Sequence, residues 1–412
     1  MKTTAISTVR TEDPANRDAE WRLPSDTTVF DEIVADLSST LFSSFRRKDQ
    51  RRKAEQYLQG LLTAPGRKSI RNIAAQVGGS SAEQGLHHFI SSSTWDWRPL
   101  RAALASHLEQ IHCSQAWVVR STHIPKAGEH SVGVDKLFAP QSGRTFRGQR
   151  AFGVWSVSER LSAPINWRLF LPHQWVNDHE RRDRAEVPEE FGTESLEECA
   201  VAAALDTVRL RGGRRRPVLV DLRQGGVAKA MARFASAGLP VLARVDASYP
   251  LAVADRALPG YGAGALPARR ILEMVKGMRR PVHWLDAETS WTSRTSLAAA
   301  VAVTCPAGPG AGHPRQLLLV GEWLDPARPP AQVWLTDMTQ LQVAPLLRLT
   351  KLTRRVDRDF SHVGEATGLR DFVGRSFRGW HRHITLASAA HTAVVLARDD
   401  YGMARGVVPV SA

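Results

Sequence analysis

Asp221 is the residue around which chemistry is most readily organised. It closes the apolar run Pro217-Val218-Leu219-Val220, and a carboxylate at the carboxyl end of a strand lies where the sites of α/β sheets tend to form. A lone Asp in that place can equally cap the helix that follows, and spacing alone leaves both readings open. His381, His383 and His391 invite a zinc site, but residues two apart do not share a helical face, so no metal is expected there. Cys113, Cys199 and Cys305 are isolated, with an odd count and no Cys-x-x-Cys spacing, which supports neither a zinc ribbon nor a disulfide framework and fits a reducing cytoplasm.

Positive charge is the chain's other chemical resource. Lysine and arginine number 55 against 41 acidic residues, a formal charge of +14. Six of the nine residues from Phe45 to Lys53 are basic, namely Arg46, Arg47, Lys48, Arg51, Arg52 and Lys53, and a second basic turn ends in Arg214, Arg215 and Arg216. Each basic group set against a phosphate releases a condensed counterion, so a polyanionic partner is favoured. The plainer reading of the first cluster is a solvated helix face, and an Arg- and Ala-rich composition raises the charge without any nucleic acid.

The 412 residues, 43% of them hydrophobic, are enough for two or three domains. No run approaches the roughly 20 apolar residues of a membrane helix, and the first residues lack the apolar segment of a secretion signal, so the expected location is the cytoplasm. Residues 1–27 read as a polar tail. Phe30, Ile33, Val34, Leu37 and Leu41 fall at helical spacing, as do Ala54, Tyr57, Leu58, Leu61 and Leu62, before Pro65-Gly66 stops the run. Two short helices joined by Gly78-Gly79, the second with a capping-box-like start at Ser80-Ser81-Ala82-Glu83, outline a helix-turn-helix. DNA reading and plain helical packing weigh equally for that outline.

Trp117 to Val119, Ser131 to Phe138 and Ala151 to Val157 predict three consecutive antiparallel strands. A helix over Leu196 to Val208, the strand ending at Asp221, a helix over Val227 to Ala237 and a strand over Leu239 to Val245 predict an α/β core. A Pro- and Gly-rich stretch with strand candidates follows, and helical spacing returns from Pro345 to Val363. The expected division is a tail at 1–27, a helical domain at 28–112, the first part of the core at 113–245, a β-rich insertion at 246–339 and a helical part of the core at 340–405.

The run from Gly374 to Leu386, which contains Trp380-His381-Arg382-His383, resembles the closing signature of bacterial insertion-sequence transposases of the DDE superfamily. His130-Ser131-Val132-Gly133-Val134, Asn166-Trp167-Arg168-Leu169-Phe170-Leu171-Pro172 and Val187-Pro188-Glu189-Glu190 resemble that family's "HSVGV", "DWRLYLP" and "VPEE" blocks, in the same order. The resemblance implies a ribonuclease-H-like α/β core with an N-terminal helical DNA-binding domain and a β-rich insertion. It also implies double-stranded DNA as partner, at least a dimer on that DNA and a place at the nucleoid. Arg375 and Arg378, inside the signature, join the expected DNA-binding residues.

A member of that family cuts DNA with two divalent ions held by two Asp and one Glu. Where the family has the aspartates of its first strand, this chain has Arg120 and Ser121, and where it has the glutamate the chain has His362. Asp221 matches the second carboxylate. Glu365, a helical turn beyond His362, is expected to share its face. Arg120 is expected to pair with Asp221 and stand in for the missing cation. The implied function is a transposase-derived DNA-binding protein, catalytically inactive, without cofactor and used as a transcriptional regulator. The alternative is an active transposase that holds Mg2+ or Mn2+ on Asp221, His362 and Glu365.

Overall fold

The computed structural model describes residues 27–404 apart from 140–142, 212–214, 287–291 and 306–314. The expected tail and Arg214 therefore lie outside the described residues. Five helices come first: α1 (Thr27–Phe42), α2 (Lys48–Thr63), α3 (Ile70–Val77), α4 (Ser80–Ser91) and α5 (Arg98–Ile111). Their apolar stripes are buried, with Leu37, Leu41, Tyr57, Leu58, Leu61 and Ile73 all sealed from solvent. Ser69 caps α3 by accepting from the Asn72 amide at 3.2 Å. The capping box expected at Ser80 does not form. Gly79, in the left-handed region at φ 63°, is the N-cap of α4, and the Ser81 hydroxyl donates instead to the Gly78 carbonyl at 2.7 Å.

Twelve strands build one mixed sheet. They are β1 (Ala116–Pro125), β2 (Asp135–Ala139), β3 (Arg144–Val157), β4 (Ser162–Leu169), β5 (Val218–Asp221), β6 (Val241–Arg244), β7 (Pro250–Val253), β8 (Ala265–Pro267), β9 (Arg280–Asp286), β10 (Thr292–Thr304), β11 (Gln316–Trp323) and β12 (Gln332–Thr336). The order is β2-β3-β1-β5-β6-β12-β11-β10-β7-β8, with β4 paired to β3 and β9 to β10. Parallel pairing joins β1, β5 and β6, and antiparallel pairing carries the sheet onward from β6 to β12. Two expectations are corrected here. The strand expected from Ser131 begins only at Asp135, because Gly133 (φ 74°) turns the chain and the Val134 amide bonds back to Ser131. A fourth strand, β4, joins the expected three. Pro164 hides it in the sequence by removing a ladder donor, and the pairing with β3 slips beside it at Val154/Trp155.

The remaining helices are α6 (His173–Asn177), α7 (His179–Arg184), α8 (Leu196–Arg211), α9 (Val227–Ser236), α10 (Ala268–Met274), α11 (Val343–Asp359) and α12 (Phe377–Ala404). A π turn over Phe360–Gly364 prolongs α11. α8 packs on β3 and β4, α11 crosses β1, β3 and β4, and α12 lies against β4 and against α1, α2 and α4. One large buried apolar cluster runs from Phe30 in α1 to Ala397 in α12, and a small second one joins Val282, Trp284, Ala298 and Leu347 between β9, β10 and α11. No helix among the described residues is long and apolar enough to cross a membrane.

Candidate functional site

β1, expected to stop at Val119, runs on to Pro125, so β5 and β6 end beside its middle; the carboxyl side of such parallel strands is where an α/β sheet tends to offer a ligand crevice. Buried Trp117, Val118 and Val119 run in register with Val218, Leu219 and Val220, so Arg120 emerges beside Asp221, and Asp221 is in turn in register with Arg244. The sequence suggests Asp221 as the partner of Arg120, but the partner is Asp357. The Arg120 Nε donates to Asp357 Oδ1 of α11 at 2.9 Å, its Nη1 donates to Thr122 Oγ1 at 2.9 Å, and its guanidinium lies 3.7 Å from the centre of the Phe360 ring. Burial pulls Arg120 below the ordinary arginine value, and the Asp357 carboxylate opposes that shift. Asp221 is held by Arg223, which folds back across the turn so that Nε reaches its two oxygens at 2.9 and 3.0 Å and Nη2 reaches Oδ2 at 2.6 Å. Nor does Asp221 cap a helix, since α9 starts only after Gly226.

His362 lies in the π turn, exposed, with Nδ1 2.8 Å from the Arg358 carbonyl. Glu365 accepts from Arg370 at 2.7 Å. The two side chains meet different groups, the Arg358 carbonyl and the Arg370 guanidinium, within and just after a π turn that winds more widely than an α-helix. Asp357 is the carboxylate that α11 does bring to β1, and the sequence reading missed it. Arg244 was missed as well, although its signal was available: it closes the apolar run Val241 to Ala243 as Asp221 closes Val218 to Val220. A two-ion centre does not fit these donors. Arg120 puts a fixed positive charge on β1 beside Asp221, Asp221 and Glu365 are taken by arginines, and among the described residues no group of three or more His, Cys, Asp or Glu could hold a metal ion.

Residues 40–336 match the family model described as DDE superfamily endonuclease. The chain belongs to the DDE superfamily endonucleases. It is also similar to the probable transposase for insertion sequence element IS701 of Microchaete diplosiphon, at 27% identity over 125 residues, which is 30% of this chain and 33% of that protein. The match thus spans about a third of the relative's length. A large mixed sheet with three parallel strands beside an antiparallel hairpin is consistent with the ribonuclease-H-like fold of this superfamily.

In this family member the Trp-His-Arg-His block faces inward and ties the N-terminal helices to α12. His381 Nδ1 lies 2.9 Å from Nη2 of the buried Arg101 in α5. Arg382 donates to the Ile90 carbonyl at 3.0 Å and the Trp95 carbonyl at 3.1 Å, satisfying the open end of α4. His383 Nδ1 sits 2.8 Å from the Tyr57 hydroxyl of α2, and its Nε2 sits 2.8 Å from the Gly368 carbonyl. Burial lowers His383 and His391 to about 4, which leaves both imidazoles neutral.

The basic residues picked out from the sequence divide by setting. Arg46, Arg47, Lys48, Arg51 and Arg52 are exposed, and Lys53 is half-buried against Gly85. Arg47 pairs with Asp49 at 2.9 Å, and Arg51 donates to the Phe42 and Phe45 carbonyls at 3.3 and 3.4 Å, which makes it part of the α1 end. Arg215 reaches the Gly238 carbonyl at 3.3 Å, and Arg216 faces Glu109 at 3.8 Å. Arg375 and Arg378 are exposed at the start of α12. The structure does not gather these residues around Asp221.

Proposed function

We propose that this chain is a transposase-derived protein that binds double-stranded DNA without cutting it. The observation that carries the reading is the Arg120 side chain, fixed by Asp357 and Phe360 in the middle of β1, beside Asp221, where an active relative needs a carboxylate. On this reading Arg120, Ser121 and His362 occupy lost catalytic positions, and Asp221 is a surviving carboxylate whose charge now serves Arg223. DNA is engaged through the exposed arginines around the start of α2 and around the start of α12, with residues 28–112 as the DNA-binding part. A protein that grips DNA and leaves it intact is suited to regulating transcription in the cytoplasm, as a dimer at the nucleoid and without a cofactor.

The test is an assay of strand cleavage and joining in Mg2+ and in Mn2+ with the purified chain. No specific product is expected. Cleavage that Asp221→Ala abolishes overturns the proposal and restores the reading of an active enzyme with unusual ligands. A crystal soaked in Mn2+ supplies a second reading: a pair of ions about 3.5–4 Å apart in the crevice would count for catalysis.

A further inference from the structure

We propose that Arg244 receives a phosphate of bound DNA at the carboxyl end of β6, and this rests on the reading of the chain as a DNA-binding protein. Arg244 is half-buried, in register with Asp221 and one strand removed from Arg120. The charges near it are Arg223, Asp221, Asp357 and Glu322. Each of those carboxylates already has a cation. Asp221 is gripped by Arg223, Asp357 by Arg120 at 2.9 Å, and Glu322 by Lys351. Among the described residues Arg244 has no carboxylate within ion-pair distance, so it is the cation left over in the crevice.

Burial and the neighbouring Arg223 guanidinium hold Arg244 below the ordinary arginine value, so its charge is only partly compensated. Bringing in an anion relieves that cost. A phosphodiester is the anion of choice because the planar guanidinium fork matches two phosphate oxygens, whereas a carboxylate of the protein would have to come from a chain that carries a net +14.

The experiment measures the affinity of the full chain for a short duplex in EDTA across a series of NaCl concentrations, for the parent, Arg244→Gln and Arg244→Lys, with folding of each followed by thermal unfolding. Arg244→Gln should weaken binding about tenfold at low salt and reduce the slope of log K against log salt by about 0.9, the loss of one phosphate contact. Arg244→Lys should keep the slope and recover part of the affinity, which a purely structural role would not produce. If Arg244→Gln folds and matches the parent in affinity and slope while Arg47→Ala with Arg52→Ala weakens binding, the inference falls and the DNA-binding reading stands. If the parent binds no duplex at low salt, both fall. Should Arg244→Gln not fold, Arg244→Lys decides: a parental affinity and slope in the lysine variant, with no loss attributable to the missing fork, overturns the assignment.

Discussion

Arg120 shows how a residue's place can be legible while its partner is not. The apolar run Trp117 to Val119 suggests a strand that stops at Arg120, yet β1 runs on to Pro125; the parallel pairing with β5 still puts Arg120 beside Asp221. The partner was set by α11, more than 200 residues away, whose crossing of β1 delivers Asp357 to the guanidinium. No local spacing encodes that choice. Because the Arg120 side chain is 21% exposed and that of Asp357 is 59% exposed, the pair is screened. It contributes about 0.2–1 kcal/mol, with about 0.5–1 kcal/mol more from the ring contact with Phe360. Arg120→Ala is therefore expected to lower unfolding free energy by about 1–2 kcal/mol. A double-mutant cycle by chemical denaturation should find coupling to Asp357→Ala and much weaker coupling to Asp221→Ala; the reverse order would refute the assignment. His383 and His391 provide a second prediction at this scale. Both have folded values near 4 against an ordinary 6.5, so the unfolded chain takes up protons that the folded chain refuses between those limits. Stability is fully present above about pH 6.5 and declines as pH falls toward 4, by up to about 1.4 kcal/mol per pH unit for each histidine. His391→Gln should flatten the slope of unfolding free energy against pH in that window, and an unchanged slope would count against a neutral buried imidazole.

Elements with strong periods were readable and their joints were not. α2 and α11 lie close to where apolar spacing puts them, since each has one clear buried stripe. The π turn at Phe360–Gly364 was not foreseeable: it is one residue of extra winding in an otherwise regular helix. At Gly60, α2 and α3 meet closely enough that a Cβ would overlap the Ile73 side chain and come within 3.0 Å of its carbonyl oxygen. Gly60→Ala should therefore destabilise by about 1–3 kcal/mol through overpacking, despite alanine's better helix propensity. Thermal unfolding measures this, and a variant as stable as the parent would mean that α3 can slide away from α2 without loss.

At the scale of the whole molecule, the +14 charge and the exposed arginines leading into and opening α2 predict DNA binding that weakens steeply with salt. Arg46→Ala, Arg47→Ala and Arg52→Ala combined should lower affinity for all sequences and reduce the salt slope by about 2–3. Arg51 is better left in place because its bonds to the end of α1 would confound the result. Affinity that stays flat across the salt series would remove the phosphate-based picture.

The junction of β6 with β12 has one more consequence, for how the chain can be shortened. Removing residues 246–339 would strip the antiparallel neighbour from Leu242, Ala243 and Arg244 and leave a bare row of amides and carbonyls along a buried, apolar strand. Such an edge is a template for another chain's strand. The excised protein should gather into higher-order particles on gel filtration, and the long segment between the two halves of the α/β fold thus acts as a guard against self-association.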